Sequence, residues 1–188
     1  MNNSAVESEH GTLPLAPIAR PHGLFVRALY HMTQRRYGKT PTAFRVIYAR
    51  APAIAFVSVV IGSVLEFFLR IDRPLRTLIQ LSVATYNGCT FCLDLNRAEA
   101  ARAKIGHARF DDLHDFESSD RFSVREKAAL AYVRALHDSM HVGDDVWRRL
   151  GEQFDERERV EIVWLCAVER YFNSMALPLR IGSDHLSD

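Results

Sequence analysis

Tyr86-Asn87-Gly88-Cys89-Thr90-Phe91-Cys92-Leu93-Asp94-Leu95-Asn96 holds two of the chain's three cysteines, spaced Cys-x-x-Cys. Gly88 interrupts a helical pattern just before the first cysteine, and the pattern resumes through Leu93, Ala98, Ala101 and Ile105. The spacing predicts a helix over about 89–105 that stops at Gly106. Cys89 then falls in its first turn and Cys92 one turn further in. First-turn backbone N–H groups lack helical partners and carry the positive end of the helix dipole. A thiolate there is stabilised and becomes a better nucleophile near neutral pH. Residues three apart share a helix face, so the two sulfurs can close a short disulfide. The stretch has the makings of a dithiol redox site, with inert thiols or a partial metal site as alternatives. No second Cys-x-x-Cys completes a tetrahedral zinc site, and neither a metal nor a cofactor is expected.

Upstream, Asp72 is a good N-cap and Pro74 suits a first turn, so Leu75, Leu78, Ile79, Leu81, Val83 and Ala84 read as a helix ending at Asn87-Gly88. Before it, Leu24 to about Gly38 and Ala43 to Ala49 read as helices. Ala51 to Leu69 is nearly all apolar between Arg50 and Arg70. That length is at the edge of a membrane span. Glu66, Ser58, Ser63, Gly62 and Pro52 argue for a fully buried core helix or part of a subunit interface instead. Downstream, a polar connection follows the cysteine helix. Ser123-Val124-Arg125-Glu126 is then a capping box, Asp144 or Asp145 starts a shorter helix, and Asp155-Glu156-Arg157-Glu158 caps a long one that Pro178 ends. No period-two strand pattern emerges. The reading is all-α, with residues 1–20 as a flexible N-terminal arm and 21–188 as a single helical domain.

The 188 residues carry a net charge of +1, with no Lys/Arg run that would suggest nucleic acid. Three cysteines do not make a disulfide framework. Met1 to Gly11 lacks the basic-then-apolar order of a signal peptide, so the reducing cytosol is the expected compartment. Cys166 lies in an apolar run and reads as a core residue. His137 and His141 have metal-compatible spacing, but at a helix end they read as cations near exposed carbonyls.

Pro74-Leu75-Arg76-x-Leu78-Ile79-x-Leu81-x-Val83-Ala84, followed by Asn87-Gly88-Cys89-x-x-Cys92-x-Asp94, resembles the AhpD-like alkylhydroperoxidase branch of the carboxymuconolactone decarboxylase-like family. Ser123 to Leu130, Asp155 to Glu158 and Tyr171-Phe172-Asn173-Ser174 resemble its later helices. The resemblance implies an AhpD-like helical bundle that assembles as a homo-oligomer. It implies Cys92 as the peroxidatic cysteine and Cys89 as the resolving one. The implied partners are a hydroperoxide or disulfide substrate and an external dithiol reductant. The family's proton relay, a glutamate twelve residues before the first cysteine and a histidine four after the second, is replaced here by Thr77 and Asn96. Neither accepts and releases a proton near pH 7, and general acid–base help is worth about 10²–10⁴ in rate. Slower dithiol exchange needs chiefly thiolate and access. A non-catalytic helical oligomer that binds a small apolar ligand or senses redox state is the alternative. Glu99 shares the Cys92 face two turns further on, His107, His114, His137 and His141 could approach the thiols only through the fold, and Asp94 points away from Cys92.

Overall fold

The computed structural model describes residues 12–102, 106 and 108–187. Its elements are helices α1 (Leu24–Tyr37), α2 (Pro52–Phe67), α3 (Arg73–Tyr86), α4 (Thr90–Arg102), α5 (Ala108–Asp111), α6 (Val124–Asp138), α7 (Asp144–Gly151) and α8 (Glu156–Ala176), with a π-helical turn at Phe44–Tyr48. No strand occurs among the described residues. Residues 1–11 of the expected arm, Ile105 and His107 lie outside them. The described part of the arm lies on the body. The Ile18 N–H donates to the Arg45 carbonyl (3.0 Å), and the Tyr30 hydroxyl donates to the Ile18 carbonyl (2.8 Å).

α3 is the axis on which the other elements are placed. The Asp72 side chain accepts from the Leu75 N–H at 3.0 Å, and Pro74 sits in the first turn, so the helix starts where its orphan donors find a partner. Leu75, Leu78, Ile79, Leu81, Val83 and Ala84 are buried against α4, α6 and α8. Capping boxes at Ser123 and Asp155 start α6 and α8.

Two expectations change. α2 is not a buried core helix: Ala55 is its one buried described residue, while Phe56 is 59% and Phe67 77% exposed. At 16 residues it spans about 24 Å, short of a bilayer core, and no described helix is long and apolar enough to cross a membrane. The polar connection after α4 is also not a simple loop. Phe110, Leu113, Phe116 and Phe122 from this stretch are buried against Leu78, Leu81 and Leu130. Each such burial contributes about 1.5–3 kcal/mol, which outweighs the charged residues between them.

Two buried carboxylates tie distant segments together. Glu161 of α8 accepts from the N–H groups of Arg70 (2.7 Å) and Ile71 (3.0 Å), fixing the turn into α3. Asp94 of α4 accepts from the N–H groups of Asp184 (2.9 Å), Leu186 (2.8 Å) and Ser187 (3.0 Å), and from the Ser187 hydroxyl. The C-terminal segment is thereby held against the cysteine helix. Burial would raise the Asp94 carboxyl, but these bonds outweigh it and hold the pKa below the ordinary value of 3.8. Because the folded pKa is depressed, this stabilisation is present above pH 3.8 and is lost as the pH falls through the folded value. Asp94→Ala should destabilise the fold by about 2–4 kcal/mol in urea unfolding and make the C-terminal segment an early site of limited proteolysis. An unchanged midpoint and cleavage pattern would show that the tether carries no stability.

Candidate active site

Where α3 stops decides where the cysteines lie. Gly88 takes φ +66°, the left-handed region that costs a residue with Cβ energy and glycine little. The Cys89 N–H then reaches back to the Ala84 carbonyl (3.1 Å) and the Gly88 N–H to that of Thr85 (3.1 Å), which satisfies the end of α3 in a Schellman arrangement. The chain reverses at once into α4. Cys89 therefore precedes the helix rather than lying in its first turn, and Cys92 is the residue in that turn. The Cys92 N–H points at the Cys89 sulfur, 3.3 Å away. The two residues are joined as a disulfide, with Cα atoms 5.2 Å apart.

Cys92 opens on a cleft of about 940 Å³ between α1, α2, α3, α4 and α8, and Cys89 sits fully buried behind it. Thr77 and Asn96 line the same cleft. The Thr77 hydroxyl donates to the Arg73 carbonyl one turn back (2.8 Å) and is turned to its own helix. Asn96 donates to the carboxylate of Glu169 at 3.2 Å.

Glu169 is the residue that reading the sequence missed. It lies on α8, is 3% exposed, and lines the cleft with Cys92. Its carboxylate accepts from three side-chain amides: Asn173 (3.0 Å), Asn96 (3.2 Å) and Gln80 (3.3 Å). Asn173 in turn accepts from the Asn87 amide (2.7 Å), so the network reaches the end of α3. Burial pushes the Glu169 carboxyl up to about 7, and the three amides offset it only in part. A group that titrates there can take and return a proton at physiological pH. The signal in sequence was weak: a glutamate in a helix core face, 77 residues beyond Cys92.

The other candidates lie elsewhere or are already committed. Asp94 holds the C-terminal segment. Glu99 lines the cleft but is paired with Arg36, Arg73 and Arg102 (the last two at 3.0 Å) and accepts from the Tyr37 hydroxyl. Burial would raise its pKa, but these partners outweigh it, and it lies below the ordinary glutamate value. His137 stacks on Tyr86 (centroids 4.7 Å) and His114 meets the same ring edge-on, on a different surface from the cleft. No group of three or more potential metal-binding side chains occurs among the described residues. Cys166 is fully buried, and burial pushes its thiol up to about 12.

This arrangement, a helical bundle with a cysteine pair where two helices meet, defines an AhpD-like fold. Residues 67–135 match the carboxymuconolactone decarboxylase family. An uncharacterized protein of Bacillus subtilis, YdfG, is 31% identical over 111 residues, covering 58% of this chain and 76% of that one. The chain belongs to the carboxymuconolactone decarboxylase family. Among solved structures, the debrominase Bmp8 superposes with a TM-score of 0.80 at 18% identity, covering 93% of this chain and 94% of its own. An uncharacterized peroxidase-related protein from Ralstonia eutropha, described as an alkylhydroperoxidase AhpD core, gives 0.75 at 18% identity over 86% and 87%.

Because the Glu169 pKa is raised from 4.5 to about 7, the folded protein keeps a proton there that the unfolded chain has released. The contribution is full below pH 4.5 and is lost as the pH rises through 7. Glu169→Gln removes that dependence. Its stability relative to wild type should rise by on the order of 3 kcal/mol across this window, read by urea unfolding at several pH values. A pH-independent difference would place the carboxyl at its ordinary value.

Proposed function

We propose that the protein is a thiol-dependent oxidoreductase that reduces organic hydroperoxides, or exchanges disulfides, through Cys92 and Cys89, with Glu169 as its general acid–base. One observation carries this reading: Cys92 and a buried carboxyl poised near neutrality line one cleft. In the reduced protein Glu169 takes the Cys92 proton. The thiolate attacks the terminal peroxide oxygen, forming an S–O bond as the O–O bond breaks, and the leaving alkoxide takes the proton back from Glu169. The Cys89 sulfur then attacks Cys92, closing the disulfide and expelling hydroxide, which leaves as water with the Cys89 proton. An external dithiol restores both thiols by exchange. Glu169 supplies the proton chemistry that Thr77 and Asn96 cannot, and Asn96 acts by orienting it. The cleft volume suits an organic substrate far larger than hydrogen peroxide. We place this chemistry in the reducing cytosol, where a dithiol reductant is at hand.

The reduced protein titrated with cumene hydroperoxide should lose two hydrogens by intact mass, and Cys89→Ser and Cys92→Ser should not. Glu169→Gln should slow that oxidation by about 10²–10⁴. Two native thiols that survive excess peroxide would overturn the reading and favour the non-catalytic, ligand-binding alternative.

We further propose that the protein forms a homo-oligomer through the outer faces of α1 and α2. Leu24 and Phe56 are more than half exposed there, with Phe25, Val57 and Val60 exposed beside them, and apolar surface of this kind marks an interaction site. Light scattering after gel filtration should give more than one chain per particle, and Phe56→Glu should shift it towards the monomer. A monomeric wild type would sink the assignment.

A further inference from the structure

The cleft has two chemically different ends. Cys92, Asn96, Gln80 and Glu169 form one. The other is built where the start of α3 meets the far end of α4, which the Arg73–Glu99 pair at 3.0 Å joins. Seven residues of α4 separate Cys92 from Glu99, or about 10 Å along the helix. Apolar side chains from α1, α2 and α8 wall the space between.

Positive charge is in excess at this second end. Arg36, Arg73, Arg76 and Arg102 line the cleft against Glu66 and Glu99. The single Glu99 carboxylate is shared by Arg36, Arg73 and Arg102. Arg76 is the most buried of the four. It is 7% exposed, donates to the Leu65 carbonyl, and has its paired carboxylate, Glu66, only at 3.8 Å and with a side chain 43% exposed. Burial lowers the Arg76 pKa, against the pull of Glu66, Asp72 and Glu99, yet a guanidinium stays protonated in proteins. A buried charge whose counter-ion is largely solvated is a costly arrangement unless something else meets it. An arginine fork matches a carboxylate in two parallel hydrogen bonds.

We propose that the cleft takes an amphipathic organic anion, with its carboxylate at Arg76 and Arg73 and its apolar body along the cleft towards Cys92. The inference names the substrate class of the redox site proposed above, and its bearing on catalysis rests on that reading. The binding itself does not. A hydroperoxide carried on the apolar body would then lie at the thiol end.

Calorimetric titration of the full-length protein, with its disulfide intact, tests this with three probes: decanoate, 1-decanol and decyltrimethylammonium. Decanoate should bind, and the alcohol and the cation should bind about tenfold more weakly or not at all. Arg76→Gln should weaken decanoate about tenfold or more. Glu66→Gln, at a half-exposed position with little risk to folding, should tighten it. Absent decanoate binding, equal affinity for the three probes, or no response to Glu66→Gln would overturn the proposal. Decanoate carries no oxidant, so a protein inert to peroxide could still bind it, and a working peroxidase could fail to.

Discussion

A buried carboxylate that accepts from three side-chain amides is the constraint around which the site is arranged. Glu169 accepts from Gln80 on α3, Asn96 on α4 and Asn173 on its own helix. Each helix must hold its register for those bonds to form. An ionised carboxylate so placed is under strain from desolvation that neutral donors relieve only in part, so its proton stays on to about pH 7. An arginine in place of one amide would have fixed the charge and held the pKa low. Glu99, a few ångströms from three guanidiniums in the same cleft, shows that outcome.

The scaffold keeps this arrangement by tying loops down with ionised carboxylates elsewhere. Glu161 holds the turn that leads into α3, and Asp94 holds the C-terminal segment over α4. Asp94 lies two residues beyond Cys92, so the same helix presents sulfur to the cleft and a tether to the other side. α3 between them is buried nearly all round, and it ends at a glycine in the left-handed region. That turn brings Cys89 and Cys92 to the start of α4, with one sulfur at the cleft and the other behind it.

The cleft reads as a graded environment from an end that holds Cys92 and Glu169 to a cationic end. Low-dielectric walls strengthen charge interactions at both ends. α2 supplies part of the wall and leaves Phe56, Val57 and Val60 exposed.

Local rules fixed much of this chain. The caps at Asp72, Ser123 and Asp155, the stop at Asn87-Gly88 and the end of α8 before Pro178 each follow from a few neighbouring residues, so the all-helical order was legible. The cysteine pair and the positions of Thr77 and Asn96 were legible from a resemblance. Burial was not. The apolar run of α2 looked like core and lies mostly outside, because hydropathy gives no account of which surface has a partner. The stretch after α4 looked polar, yet four of its side chains are buried against α3 and α6. Glu169 was invisible for the same reason: its pKa is set by three amides brought from residues 80, 96 and 173, and by the water that tertiary packing excludes. Sequence determined the helices and the thiols. Folding decided which carboxylate in the cleft keeps its proton to near neutrality, because desolvation is a property of the packed neighbourhood and not of the residue.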